Sequence, residues 1–347
     1  MDKQHFLELA NNNLSDDGKR LTFGFWRCEI GDEVMRWLSE SAHLSSLQSL
    51  KLAYNGIGSE GMRWLLQSTH LSSLQSLSLW GNDIGDEGMR WLAQCRHLSS
   101  LQSLDLDGND IGSEGIRWLS ESTHLNSLQE LDLQGNEIGD EGMRWLSEST
   151  HLSSIKTLNF WGNNIGDEGM RWLSESTHLS SLQSLNLRRN NIGDEGIRWL
   201  SESTHLTSLQ WLSLYGNKIG SEGMRWLSQS THLSSIQELD LGWNNINDEG
   251  MSHLQKAHFM CDLNSLNLGD NCAYNEIVKE TLDLMTNVQP LDYRDSKNPI
   301  INRIKDLKSL NKKDLTYEVI CGLNKLVDEK QYHLSLTVSD VLKKLVR

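Results

Sequence analysis

Residues 43–69 read HLSSLQSLKLAYNGIGSEGMRWLLQST, and two periodicities share that stretch. Gln48-Ser49-Leu50-Lys51-Leu52-Ala53 alternates polar and apolar, which predicts a short strand with one buried face. Asn55-Gly56-Ile57-Gly58 turns the chain. Ser59-Glu60-Gly61-Met62-Arg63-Trp64-Leu65 then predicts a helix, with Ser59 as N-cap and an acid in the first turn.

The unit recurs. His-Leu-Ser-Ser-Leu or a close variant opens at His43, His70, His97, His124, His151, His178, His205 and His232, always 27 residues apart. An asparagine keeps the same step at Asn55, Asn82, Asn109, Asn136, Asn163, Asn190, Asn217, Asn244 and Asn271, and Cys28 extends the column backwards. Asp86, Ser113, Asp140, Asp167, Asp194, Ser221 and Asp248 hold the cap position. One strand and one helix per 27 residues make a right-handed coil that cannot bury its apolar side alone. Coils must therefore stack, strand beside strand and helix beside helix.

The pattern LxxLxLxxNxIGDEGMxxL, as at Leu128–Leu146, resembles the leucine-rich repeat, and more narrowly the ribonuclease-inhibitor-like subfamily. The resemblance covers roughly residues 7–271. It implies an α/β solenoid, a horseshoe with a parallel sheet on the concave side and helices on the convex side. The uniform period of 27 and the lack of alternating cysteine-rich repeats depart from the inhibitor itself, so ribonuclease is not implied as a ligand. The uniform repeat and a tail rich in lysine and asparagine are also similar to leucine-rich repeat proteins of bacteria, secreted effectors delivered into a host cytosol among them.

The ends differ from the middle. Leu7–Gly18 matches the strand-and-turn half of a unit, and residues 1–20 are expected to form a degenerate cap without a helix. Counting Asn12, Cys28 and the nine later asparagines predicts eleven strands, a sheet on the order of 50 Å long at ~4.8 Å per strand. Residues 1–272 carry 19 basic and 36 acidic side chains, whereas residues 273–347 carry 13 and 11. With Pro290 and Pro299 in a loop over 288–300 and helical patterns at 275–287, 300–310, 314–329 and 339–346, that region reads as a helical cap or a small separate domain.

Composition narrows function. A formal charge of −15 over 347 residues argues against nucleic acid and anionic membrane surfaces as partners. The five cysteines contain no CxxC pair and suit neither a disulfide framework nor a zinc site. No secretory signal is visible at Met1-Asp2-Lys3-Gln4-His5, and no apolar run approaches ~20 residues. The expectation is an acidic protein of a reducing, cytoplasmic compartment, without cofactor or metal.

Columns that repeat are dictated by stacking, and columns that vary are released from it. Eight tryptophans recur in the helix (Trp37, Trp64, Trp91, Trp118, Trp145, Trp172, Trp199, Trp226) and read as packing between coils. The other five, Trp26, Trp80, Trp161, Trp211 and Trp243, fall in columns that strand alternation turns to the concave side. Tyr215, Arg188 and Arg189 join them, and Asp105, Asp107, Glu130 and Asp132 form an acidic patch nearby. Aromatic and arginine side chains on a rigid surface dominate protein interfaces. These twelve residues predict a non-enzymatic scaffold for a protein partner with a basic patch. The alternative from another class is a regulator or enzyme module, a GTPase activator or ubiquitin-ligase adaptor. No Walker loop, zinc motif or nucleophile elbow supports it.

Overall fold

The computed structural model describes residues 3–22, 31–68, 70–254, 257, 259 and 263–271. Trp26 and the expected helical region 273–347 lie outside the described residues.

Within them, strand and helix alternate as the two periodicities require. The strands are β1 Arg20–Thr22, β2 Ser49–Lys51, β3 Ser76–Ser78, β4 Ser103–Asp105, β5 Glu130–Asp132, β6 Thr157–Asn159, β7 Ser184–Asn186, β8 Trp211–Ser213, β9 Glu238–Asp240 and β10 Ser265–Asn267. The helices are α1 Lys3–Asn13, α2 Gly31–Ser39, α3 Ser59–Gln67, α4 Gly85–Ala93, α5 Ser113–Ser120, α6 Gly139–Glu148, α7 Asp167–Glu175, α8 Asp194–Glu202, α9 Ser221–Gln229 and α10 Asp248–Leu254. The strands form one parallel sheet in chain order, β1 to β10. From β2 onward the register places Leu50, Leu77, Leu104, Leu131, Leu158, Leu185, Leu212, Leu239 and Leu266 side by side. The result is a solenoid of stacked strand–helix coils, with the sheet on its concave side and the helices on its convex side.

Each coil buries the same set. In the first complete one, Leu50, Leu52, Ile57, Met62, Leu65, Leu71 and Leu74 are all buried. Phe160 takes the place of the second strand leucine and is fully buried too, so that column accepts a larger apolar side chain.

The asparagine column holds the coils together. Asn136 Oδ1 accepts the N–H groups of Asn109 (3.1 Å) and Ile111 (3.0 Å) in the preceding coil. Its Nδ2 donates back to the carbonyls of Leu106 (3.0 Å) and Leu133 (2.9 Å). Asn82 and Asn190 do the same. A turn that faces the core has no water for its amides, and these side chains replace it.

Three expectations are corrected. The N-terminal unit is not a strand and turn without a helix. Lys3–Asn13 is helical, because Phe6, Leu7, Ala10 and Leu14 recur at helical spacing, and Ala10 is buried against the first coil. The first strand is consequently β1, with Leu21 opposite Leu50 at a separation of 29 rather than 27. Ten strands, not eleven, are present among the described residues.

The acidic cap residues are the third. They do not cap their own helices. Asp86 Oδ1 accepts the N–H groups of Gly112 (2.7 Å) and Gly115 (2.8 Å) in the following coil. Asp140 and Asp167 reach forward in the same way. Where the position is Ser59 or Ser113, no carboxylate arrives. The next glycine, Gly85 or Gly139, turns to φ +58 or +60 and its N–H finds the Asn109 or Asn163 carbonyl instead.

The helix tryptophans pack between coils as expected, half-buried except for the buried Trp37. Arginines interleave with them. Arg117 lies 5.9 Å from the Trp118 ring and 5.2 Å from Trp145, Arg144 lies 5.3 Å from Trp145 and 5.5 Å from Trp172, and the alternation continues to Trp226. Each of these arginines also pairs with the glutamate three residues before it. The convex face thereby answers most of its own charge, while the buried Trp145 Nε1 and Arg90 Nε have no hydrogen-bond partner among the described residues.

Asn136→Ala strips partners from several buried backbone groups, each costing about 1–3 kcal/mol when left unpaired. The variant is expected to lose about 3 kcal/mol or more of unfolding free energy by urea denaturation, whereas Ser120→Ala on the helix side changes it little.

Candidate functional site

The face of the sheet turned away from the helices carries the side chains at alternate strand positions. The backbone ladder outlasts the three-residue strands. Tyr54 N–H donates to the Trp80 carbonyl (2.8 Å), Arg189 N–H to Tyr215 (2.7 Å) and Trp243 N–H to Gly269 (2.8 Å). Residues just past each strand are thus held by the same ladder as the strand.

The structure divides the predicted residues into three groups. Trp80 stands at the first, 41% exposed, with Tyr54 tilted against it at 4.8 Å between ring centres. Tyr54 is 46% exposed and belongs to the site although the sequence reading left it out.

The acids form the second group, on and just beyond β4 and β5. Asp105 accepts a bond from Ser78 Oγ (2.7 Å) and caps the N–H of Asp107 (3.2 Å). Asp132 accepts from Asn159 Nδ2 (3.0 Å) and caps the N–H of Gln134 (3.0 Å). These two carboxylates therefore also terminate the strands. Gln134 Nε2 bridges to Asp107 (3.1 Å), and Glu130 is exposed. Burial, and then the charges of Asp132 and Asp105, push the Asp107 carboxyl up to about 6. Burial raises Asp132 as well, against the two hydrogen bonds it accepts.

The third group is an aromatic and arginine cluster beyond β6 to β9. The Arg189 guanidinium lies between the Trp161 ring at 5.7 Å and the Trp243 ring at 5.5 Å. Tyr215 tilts against Trp243 at 5.8 Å, and Arg188 lies 4.8 Å from the Tyr215 ring. Arg188 also pairs with Asp240 at 3.1 Å, so half the cationic charge here is answered internally. Trp243 is 51% exposed, and Trp161, Trp211 and Tyr215 are half-buried. Trp211 sits on β8 opposite Glu238 of β9.

The strand-end column adds a conformational signal. Tyr54, Gly81, Gly108, Gly135, Gly162, Arg189, Gly216, Trp243 and Asp270 all have φ between +50 and +71. Glycine adopts that region freely, whereas another residue there costs about 1–2 kcal/mol. Tyr54, Arg189 and Trp243 bear this cost at the positions where the column turns aromatic or cationic. Gly216 makes their pairing possible, since a Cβ there would stand 3.2 Å from both Arg189 Cγ and the Trp243 ring. Strain of this kind gathers at binding sites when the surrounding structure enforces it.

Among the described residues no group of three or more histidine, cysteine, aspartate or glutamate side chains is arranged to hold a metal ion. Cys95 is buried, and burial pushes its thiol up to about 11, which leaves it unreactive.

A family model described as Leucine Rich repeat matches residues 43–65, 70–93, 97–120, 124–147, 151–174, 178–201 and 232–254. The chain is a leucine-rich repeat protein. Among solved structures, one titled "Crystal structure of TLR13-ssRNA13 complex" is similar at 20% identity and a TM-score of 0.43, over 68% of this chain and 35% of that one. The present chain thus spans about a third of that neighbour's length. No curated protein matches the sequence.

The raised Asp107 pKa gives a signed expectation. Its folded-state value lies above the ordinary 3.8, so the folded chain binds more protons than the unfolded one between about pH 4 and 6. Stability contributed by this group therefore falls as pH rises through that window. Asp107→Asn is expected to raise the urea midpoint relative to wild type at pH 7 more than at pH 4, and a carbon-detected titration of the carboxyl is expected to give a midpoint near 6.

Proposed function

We propose that this leucine-rich repeat protein is a non-enzymatic recognition scaffold that holds a protein partner against its concave sheet. Leucine-rich repeats are generally protein-interaction scaffolds. One observation carries the reading for this chain. Its large exposed aromatics, Tyr54, Trp80 and Trp243, gather on the face of the sheet that stacking leaves free, and two of them together with Arg189 stand at positive φ. The convex side answers its own tryptophans with arginines and its arginines with glutamates, so little there is left for a partner. A full helix in each described coil supports the closer likeness to the ribonuclease-inhibitor-like subfamily.

The partner's chemistry follows from charge. Asp105, Asp107, Glu130 and Asp132 favour a basic patch, and the net charge of −15 speeds its approach. Aromatic anchors supply the affinity. Trp161 and Trp243 are already oriented by Arg189, so little side-chain freedom is lost when a partner covers them. Truncating a central aromatic anchor costs at least about 2 kcal/mol of binding, roughly thirtyfold in affinity.

The test is a binding titration with a partner recovered on the immobilised protein. Trp161→Ala and Trp243→Ala are each expected to weaken binding roughly thirtyfold or more, while Trp172→Ala on the convex face leaves affinity unchanged. Equal affinity for all three variants, with unaltered far-ultraviolet dichroism, would remove the sheet face as the docking surface. Binding of a basic partner is also expected to strengthen from pH 5 to pH 7 as Asp107 ionises, and Asp107→Asn is expected to flatten that rise.

A further inference from the structure

Arg189 differs from the arginines of the α-helices and from its neighbour Arg188. Arg36, Arg63, Arg90, Arg117, Arg144, Arg171, Arg198 and Arg225 all pair with glutamates, and Arg188 pairs with Asp240. Arg189 is exposed and makes no ion pair among the described residues. Two indoles hold its guanidinium from opposite neighbours, 5.7 and 5.5 Å away. Placed there, the guanidinium offers N–H donors and no acceptor. The side chain occupies a φ of +50 in a column that is glycine in five of its nine described positions. Nothing in the packing of the coils asks for an arginine there.

We propose that Arg189 is a preorganised carboxylate-binding prong, which takes a glutamate or aspartate side chain of the protein partner between Trp161 and Trp243. The inference rests on the reading of the sheet face as the docking surface. A planar fork matches a carboxylate through two parallel hydrogen bonds, and the flanking rings narrow the space the guanidinium samples. The acids on β4 and β5 select against a polyanion, whose other charges would meet Asp105, Asp107, Glu130 and Asp132. They tolerate one carboxylate accompanied by cations. Arg189 lies two to three strands from these acids, roughly 10–14 Å at ~4.8 Å per strand. An extended segment crossing the strands covers that span in three or four residues. The partner segment is therefore bipolar, with lysine or arginine three or four residues from a glutamate or aspartate.

The probe is acetyl-Lys-Lys-Gly-Gly-Gly-Glu-amide, with the peptide ending in Gln-amide as its neutral match. Binding is followed through the indole N–H signals of the full chain. Wild type is expected to bind the Glu peptide about tenfold tighter than the Gln peptide. Arg189→Gly installs the residue that neighbouring coils use, so it preserves the turn; it is expected to bind both peptides with the weaker affinity. Arg189→Lys, which keeps the charge and loses the fork, is expected to recover only part of the preference. Equal binding of both peptides by wild type, or the same preference in Arg189→Gly, overturns the prong and leaves the docking surface standing. Binding of neither peptide counts against both. Tighter binding of a single-stranded oligonucleotide than of the Glu peptide, lost in Arg189→Gly, overturns the carboxylate assignment in favour of phosphate.

Discussion

Every coil of this solenoid depends on a buried amide. Between the strand and the helix the backbone must turn toward the core, where no water reaches its N–H and C=O groups. From Asn82 onward one asparagine per coil donates its Nδ2 to carbonyls of its own and the preceding coil. At Asn136 and Asn190 its Oδ1 also accepts two N–H groups, whereas the Oδ1 atoms of Asn109 and Asn163 are buried without a partner among the described residues. The leucines provide most of the apolar burial, but they tolerate exchange, as Phe160 shows. The asparagine is harder to exchange because its Nδ2 is committed to carbonyls of two coils at once. Stacking at a fixed step of 27 follows from that commitment, and so does the alignment of every other column.

Fixed alignment sorts the remaining positions by face. On the convex side the same tryptophan, arginine and glutamate recur in nearly every coil; Arg117, Arg144, Arg171 and Arg198 each pair with a glutamate of their own helix and lie over the tryptophan of the next coil. On the concave side the strands present columns with no stacking duty, and the residues there change from coil to coil. Three of those changes place Tyr54, Arg189 and Trp243 in a left-handed conformation that glycine would occupy without strain. Stability is given up at those points, and the structure holds them there through the continuing backbone ladder. The acids follow a mixed rule: Asp105 and Asp132 terminate strands by capping backbone N–H groups, yet their remaining charge still raises the neighbouring Asp107 or crowds its site.

Much of this was legible in the sequence because repetition makes a chain its own comparison. The 27-residue step, the strand and helix in each unit, the core leucines and the role of the asparagine follow from periodicity. The failures came where local signals compete. Leu7-Glu8-Leu9 alternates like a strand, but Phe6, Leu7, Ala10 and Leu14 also fit a helix, and the helix prevails at the free end of the stack. Asp86 stands where an N-cap is expected, yet its carboxylate serves the next coil, a choice decided by a distance between coils that one unit cannot reveal. The candidate site was visible as columns and not as contacts. Arg189 and Trp243 meet across Gly216, where a Cβ would stand 3.2 Å from both. Tyr54 went unselected because a single aromatic in a glycine column carries little weight until Trp80 is seen against it.

The central claim is that the fold and the recognition surface are carried by separate columns of one repeat. A single variant chain tests it: glycine at positions 54, 189 and 243, and serine at positions 80, 161, 211 and 215, leaving every asparagine, leucine and helix tryptophan in place. Thermal unfolding of that chain is expected at or above the wild-type midpoint, because strained side chains have been relieved and no core contact has been removed. A midpoint well below wild type, or loss of the cooperative transition, would show that these aromatics hold the solenoid together and contradict the account.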